Sequence, residues 1–92
     1  MDHSLETVLE RTEISGSEID GEFVFFNQEL GKYFATDGVG GAIWQFLATP
    51  HSITEICDHL QGKYEIDRNT CETQTKEFIS KMVLGGILRA AR

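Results

Sequence analysis

The first third of the chain alternates apolar and polar residues with a period of two, which is typical of half-buried β-strands. Such runs predict strands at residues 8–14, 22–27 and 32–36. A Ser-Gly-Ser break follows the first run, and an Asp-Gly pair, which accepts the positive φ of a tight hairpin turn, precedes the second. We therefore expect a small antiparallel meander of three strands, with residues 32–36 at its edge.

From Asp37 onward the apolar period changes to 3.6, which indicates helices. Asp37 is a suitable N-cap for the first helix. The apolar stripe of this helix is Val39, Ala42, Ile43, Phe46 and Leu47, with Trp44 at its edge as a residue of the core rather than a ligand platform. The glycine-rich start, residues 38–41, either lets another element pack closely or offers backbone N–H groups to an anion. Because it lacks the lysine and the spacing of a phosphate-binding loop, close packing is the favoured interpretation.

Two further helices follow the first. The second begins at a capping box formed by Ser52 and Glu55 and ends before Gly62. Its inward-facing residues are Ile53, Ile56, Cys57 and Leu60. The third helix starts at about residues 67–69 and runs to about Leu84. Its main buried stripe is Cys71, Thr75, Phe78 and Met82.

Three strands followed by three short helices indicate an α+β domain of winged helix-turn-helix type. At 92 residues, the chain is expected to form one domain over residues 1–92. Its 8 Lys and Arg against 15 Asp and Glu give a net charge of −7, which argues against a protein that wraps a nucleic-acid backbone. No apolar run has the length of a membrane span, and the first residues lack the order of a signal peptide. We therefore expect a cytoplasmic protein with no membrane partner.

The residue types that carry most enzyme chemistry are scattered along the chain. Cys57 and Cys71 fall at inward positions of predicted helices, so we expect buried, reduced thiols rather than a disulfide. His3, His51 and His59 form no metal-ligand spacing with one another or with the cysteines. No nucleophile–base pair or paired-carboxylate site is recognisable. We expect no catalytic residue, no metal and no cofactor, and an enzyme is the weaker functional class.

Several short motifs follow one another along the chain in a specific order. Within residues 31–47 they are a Gly-x-Tyr hairpin end, a small residue before Ile-Trp, and an apolar pair. After these come Ser-Ile-Thr-Glu-Ile at 52–56, Tyr-Glu-Ile-Asp at 64–67, Phe78-Ile79, Met82, and Gly-Ile-Leu at 86–88. Together they resemble the PqqD-like family over about residues 8–88. One departure is Thr36-Asp37, which stands where that family usually has Leu-Asn, so that an apolar contact is reduced while the capping role is kept.

The resemblance implies a non-catalytic peptide chaperone. Members of that family bind the leader segment of a ribosomally made precursor peptide and present it to a modifying enzyme such as a radical SAM protein, a leader peptidase or a cyclase. Products of such systems include PQQ and lasso peptides. The resemblance also implies that the leader adds as an antiparallel strand to the third predicted strand and packs against the third helix, a recognition mode that needs no catalytic group.

The candidate peptide-binding residues lie on these two elements. On the strand they are Lys32, Tyr33, Phe34, Ala35 and Thr36, and the sequence leaves open which alternate set faces the helices. On the helix they are Arg68, Glu72, Thr75, Lys76, Ile79 and Val83, which share one side at 100° per residue. Two alternatives stay open: Ile79 and Val83 pack against another helix, and Lys32 only blocks the edge against pairing.

A different class, a winged-helix DNA-binding regulator, is the main alternative function. It needs a basic recognition helix, whereas the third helix sets three cationic residues (Arg68, Lys76 and Lys81) against Glu72 and Glu77. An enzyme subunit with a small-molecule pocket is a third possibility. The sequence leaves the oligomeric state open between monomer and homodimer, because an exposed strand edge can pair with its own copy.

Overall fold

The computed structural model describes residues 4–91, so that His3 and Arg92 lie outside the described residues. In chain order the elements are β1 (Val8–Arg11), β2 (Gly16–Ile19), β3 (Glu22–Asn27), β4 (Lys32–Thr36), α1 (Gly38–Phe46), β5 (His51–Ser52), α2 (Ile53–Lys63), α3 (Arg68–Leu84) and β6 (Leu88–Ala90). The strands form two three-stranded antiparallel sheets, with the orders β2-β3-β4 and β5-β1-β6. This architecture confirms the predicted α+β class.

The sheet β2-β3-β4 is the predicted meander. The hairpin between β2 and β3 turns at Asp20 and Gly21, which have φ of 54° and 83°, as expected for an Asp-Gly turn. The next hairpin closes at Gly31, which has φ of 64° and donates its N–H to the carbonyl of Asn27 at 2.8 Å. Among the described residues β4 pairs only with β3, so it is an edge strand, as predicted.

The first strand of the meander differs from the prediction. It is β2, which includes the last two residues of the Ser-Gly-Ser break. The predicted strand at residues 8–14 is shorter and belongs to the other sheet as β1. Gly16 explains why the break pairs as a strand, because the ring of Phe25 lies over it and an added Cβ would come within 2.5 Å of Phe25 Cε1. A polar, glycine-containing strand has no alternation of apolar and polar residues, so the period-two pattern does not predict it.

The second sheet joins distant parts of the chain. Its central strand is β1, which pairs with β5 and β6, and the buried Leu9 stands opposite His51 on one side and Ala90 on the other. The partner strands have only two and three residues, and no periodic pattern predicts elements so short.

The helix boundaries follow the predicted caps closely. Asp37 caps α1, Ser52 and Glu55 form the capping box of α2, and Asp67 caps α3. Gly62 is an exception, since it lies within α2 rather than beyond it, and the helix ends where Tyr64 turns extended. The predicted inward residues of α2 are all buried, and both cysteines are buried free thiols, as expected.

Candidate functional site

The exposed edge of β4 runs beside α3 and forms one wall of a groove. Phe34 is half-buried and Thr36 is buried toward the helices, whereas Tyr33 and Ala35 are exposed on the outer face of the sheet. This alternation settles which set of β4 side chains faces the helices. On the outer face Tyr33 packs against Phe26, with ring centroids 4.6 Å apart.

The helical wall of the groove approaches β4 where α3 ends. Gly85 lies against the ring of Phe34 so closely that an added Cβ would be 2.6 Å from Phe34 Cζ. A depression of about 290 Å³ opens here, and we name it the lysine pocket. Its lining residues are Leu30, Lys32, Phe34, Lys81, Leu84 and Gly85. The pocket therefore has apolar side chains together with two ammonium groups and no carboxylate.

A single buried amide holds the two walls of the lysine pocket together. Asn27 is 6% exposed, and its Nδ2 donates to the carbonyl of Gly85 at 2.7 Å. Its Oδ1 accepts from the N–H of Leu30 at 3.1 Å. Asn27 thus links the β3–β4 hairpin to the end of α3. Its polar side chain at an inward position of an apolar strand was the sequence signal for this role.

A second depression, of about 360 Å³, lies beyond the other end of β4, and we name it the acidic pocket. Asp37 and Glu77 supply its charge, and no cation lines it. Its other lining residues are Val39, Gly40, Ile43, Leu60, Ile66, Cys71, Gln74, Thr75 and Phe78. The lysine and acidic pockets therefore place opposite charges at opposite ends of the same strand.

Three of the predicted site residues line the two pockets. Lys32 and Phe34 line the lysine pocket, and the buried Thr75 forms part of the acidic pocket. Thr36 is 4% exposed, and its Oγ1 has no hydrogen-bond partner among the described residues. Beneath the acidic pocket, burial raises the pKa of Cys57 to about 11, although its Sγ lies 3.7 Å from Thr75 Oγ1.

The remaining predicted residues of α3 line neither pocket, and their part in peptide binding stays a prediction. Arg68 points to α2, where it bonds Asp58 at 2.7 Å, and within α3 it pairs with Glu72 at 3.0 Å. These two acceptors raise the pKa of Arg68. Ile79 is fully buried and Val83 packs against the core, which is the alternative that the sequence left open for both. Lys76 lies on the same side as Glu72 and lines neither pocket.

The predicted site residues did not include most of the α3 flank that lines the two pockets. Its groove-lining residues are Gln74, Glu77, Phe78, Lys81 and Leu84. Their spacing of three or four residues was visible in the sequence. Leu84 gave a further signal, because it is a leucine in the last turn on a polar side of the helix. In the structure its side chain is 83% exposed.

The glycine-rich start of α1 serves close packing rather than anion binding. An added Cβ at Gly40 would lie 2.8 Å from Phe78 Cε1, and one at Gly41 would lie 2.9 Å from Phe23 Cδ2. The carboxylate of Asp37 already accepts the N–H of Gly40 at 2.8 Å, so that a negative charge occupies this helix start.

Trp44 belongs to the aromatic part of the core, as expected. Its ring centroid lies 5.0 Å from that of Phe23 and 5.2 Å from that of Phe25. Arg11 covers it, with the guanidinium carbon 3.6 Å from the ring centroid, and donates from Nε to the Trp44 carbonyl at 2.9 Å. Desolvation by burial lowers the pKa of Arg11.

Metal-site and membrane criteria give no match over residues 4–91. Within that range no three His, Cys, Asp or Glu residues are grouped so that they could hold a metal ion. No helix in the described part of the chain has the length and apolar character to cross a bilayer.

Comparisons with known proteins agree with this fold. Among solved structures, TbiB1 in complex with the TbiA(beta) leader peptide is 27% identical, with a TM-score of 0.79 over 90% of this chain and 98% of that one. A lasso peptide synthetase B1 complexed with the leader peptide is 21% identical, with a TM-score of 0.74 over 88% and 96%. No curated protein is significantly similar in sequence. The model of the family described as coenzyme PQQ synthesis protein D (PqqD) matches residues 22–88, and the chain belongs to that family.

Proposed function

We propose that this protein binds the leader segment of a ribosomally made precursor peptide and presents it to a modifying enzyme. The observation that carries the proposal is the unpaired edge of β4 beside a groove with two pockets. The 27% identity to a protein solved with a leader peptide supports the same function. Residues 1–92 form the leader-binding domain in this proposal.

The edge of β4 suits a peptide that adds as an antiparallel strand. Its N–H and C=O groups on that side give main-chain hydrogen bonds, and the existing sheet is antiparallel throughout. A strand rises about 3.3 Å per residue, so the five residues of β4 pair with a leader segment of similar length. Alternate leader side chains then face either the groove or the outer surface beside Tyr33 and Ala35.

The binding residues assigned in this proposal are the five residues of the edge strand and α3 residues that line the two pockets. They are Lys32, Tyr33, Phe34, Ala35 and Thr36 on β4, with Thr75, Phe78, Lys81 and Leu84 on α3. The proposal assigns no catalytic residue, metal or cofactor to the chain. The chemistry belongs to the partner enzyme, a radical SAM protein, a leader peptidase or a cyclase, in the cytoplasm where the precursor is made.

No observation favours the DNA-binding alternative. A recognition helix needs cations that are free to reach phosphates. On α3, Arg68 is already held by Asp58 and Glu72. Glu77 lies one turn before Lys81, so that the exposed surface of the helix is not uniformly basic.

Phe34→Pro and Ala35→Pro test strand addition. Their binding is measured with fluorescein-labelled peptides made from the first halves of short reading frames beside the gene. The N–H groups of Phe34 and Ala35 point to opposite edges of β4, so proline removes the free-edge donor at one of the positions only. We expect that variant to stay folded and to bind roughly tenfold more weakly or worse, while the other loses melting temperature.

Phe34→Ala is the matched control, because it removes the ring that packs on Gly85 and keeps the backbone N–H. Circular dichroism reports folding and fluorescence anisotropy reports affinity for the same peptide. Wild-type binding in both proline variants would refute addition to β4. Saturable binding of labelled duplex DNA, with no binding of any peptide, would favour the DNA-binding class instead.

A further inference from the structure

The charges of the groove are segregated along β4. At the start of the strand, Lys32 and Lys81 are the charged residues of the lysine pocket. Just past its end, Asp37 and Glu77 are the charged residues of the acidic pocket. A peptide strand along this edge therefore meets ammonium groups at one end and carboxylates at the other.

The two lysines have no ion-pair partner within the described part of the chain. The four ion pairs between residues 4 and 91 involve His51, Arg68 and Arg89 as cationic partners. Glu77 precedes Lys81 by one turn but lies in the acidic pocket and does not pair with it. In a chain of net charge −7, two cations that line one apolar pocket without a carboxylate form a local site of opposite sign to the surrounding surface.

We propose that this groove selects leader segments by charge polarity: an acidic side chain at the C-terminal end of the bound strand lies by Lys32 and Lys81, and acidic side chains are excluded from the N-terminal end. The direction follows from antiparallel pairing, because β4 runs from Lys32 toward Asp37 and its partner runs the opposite way. This inference rests on the proposed function and adds the chemistry of the peptide to it.

The expected size of the effect is moderate, since the site is open to solvent. Each exposed ion pair changes affinity by about 1.4- to 5-fold, so a carboxylate between two lysines changes affinity by about two- to thirtyfold. The preference decreases at high salt, where exposed charges are screened. Exclusion at the other end arises from like-charge repulsion by Asp37 and Glu77.

A library of random 12-residue peptides, displayed on yeast and sorted against the labelled full-length protein, measures the preference directly. Wild type should enrich Asp or Glu toward the C-terminal end of the selected segment and deplete them toward its N-terminal end. Lys81→Glu and Lys32→Glu should reduce that enrichment and favour Lys or Arg at the same position. One enriched peptide, synthesised with its acidic residue changed to lysine, should lose about two- to thirtyfold in affinity for wild type and regain affinity with Lys81→Glu.

Lys63→Glu is the matched control. Lys63→Glu and Lys81→Glu change the net charge by the same amount. Both lysines lie in the last turn of a helix, so the two changes also have the same helix-dipole cost. Lys63 lines neither pocket, and its variant should select as wild type does. Circular dichroism confirms that each variant is folded.

The outcomes distinguish a failure of charge selection from a failure of peptide binding. If peptides are enriched without any acidic preference, or if Lys63→Glu alters the preference as much as Lys81→Glu, charge selection is wrong while peptide binding stands. If wild type enriches no peptide, the proposed function fails and this inference fails with it.

Discussion

The two flanks of α3 differ in how far the fold completes them. On the flank toward α2, which we name the closed flank, Arg68 is paired with Asp58 and Glu72, and Ile79 is fully buried. On the flank toward β4, the open flank, Lys81 has no ion-pair partner among the described residues and Leu84 is 83% exposed. One helix thus has one flank whose side chains are paired or buried and another that the proposed function uses for recognition.

The largest expected effect comes from placing aspartate on each flank. Ile79→Asp puts a carboxylate among core side chains, where a charge cannot be solvated, so we expect no folded protein. Leu84→Asp should change the free energy of unfolding by less than about 1 kcal/mol, because the side chain is exposed. It should nevertheless weaken binding of a library-selected peptide by removing an apolar wall of the lysine pocket. Thermal melts and anisotropy measure the two effects.

Ile79→Val keeps the closed-flank test interpretable if the aspartate variant does not fold. Loss of one buried methylene costs about 0.5–1.5 kcal/mol, and peptide affinity should stay near that of wild type. A folded Ile79→Val protein with peptide binding lost would show that Ile79 acts at the groove, against its observed burial.

Trp44 should behave like a closed-flank residue although it is not fully buried. Truncation to alanine removes its contacts with Phe23, Phe25 and Arg11, and we expect a loss of about 3–5 kcal/mol in the free energy of unfolding. Urea denaturation measures the change. An unchanged midpoint would make Trp44 a surface residue available to a ligand.

Arg68→Ala should have a smaller effect, on stability alone. The side chain of Arg68 is 34% exposed, so solvent screens its pairs with Asp58 and Glu72, and we expect only a small fall in melting temperature. Affinity for a library-selected peptide should change by less than twofold, since Arg68 faces α2. A tenfold loss of affinity with an unchanged melting temperature would place it back in the groove.

The smallest expected effect concerns the acid response of the α3 cap. The Thr70 N–H and hydroxyl lower the pKa of Asp67 below its ordinary 3.8. Because the folded pKa is the lower one, this stabilisation is present above pH 3.8 and is lost as the pH falls through the lowered value. Asp67→Asn should therefore lose less melting temperature than wild type between pH 5 and about pH 3, and equal slopes would contradict the assignment.

The sequence predicted those elements whose pattern is long enough to show a period. The three helices, β3 and the edge strand β4 were foreseen, and so were the caps at Asp37 and Ser52, whereas the start of α3 was left between Asp67 and Asn69. The strands β2, β5 and β6 were not, because a polar strand with glycine and strands of two or three residues carry no alternation.

The flank of α3 that lines the two pockets was not predicted as part of the site. Apolar residues occur on both sides of the stripe's centre, with Ile79 and Val83 beyond one side and Phe78, a member of the stripe, at the other. A helical wheel ranks positions by angle but does not state which neighbour each angle faces. That information depends on the packing of α3 against α2, where Arg68 finds Asp58, and only the folded structure supplies it.

The sheet β5-β1-β6 has a consequence for the time course of folding. The meander β2-β3-β4 closes through neighbouring hairpins, which form quickly, whereas β1 must wait for residues 88–90 before its ladder with β6 can form. During synthesis on the ribosome, β4 is therefore made and paired while α3 and β6 are still emerging. We expect the nascent chain to pass through an interval in which the edge strand is present without its helical wall.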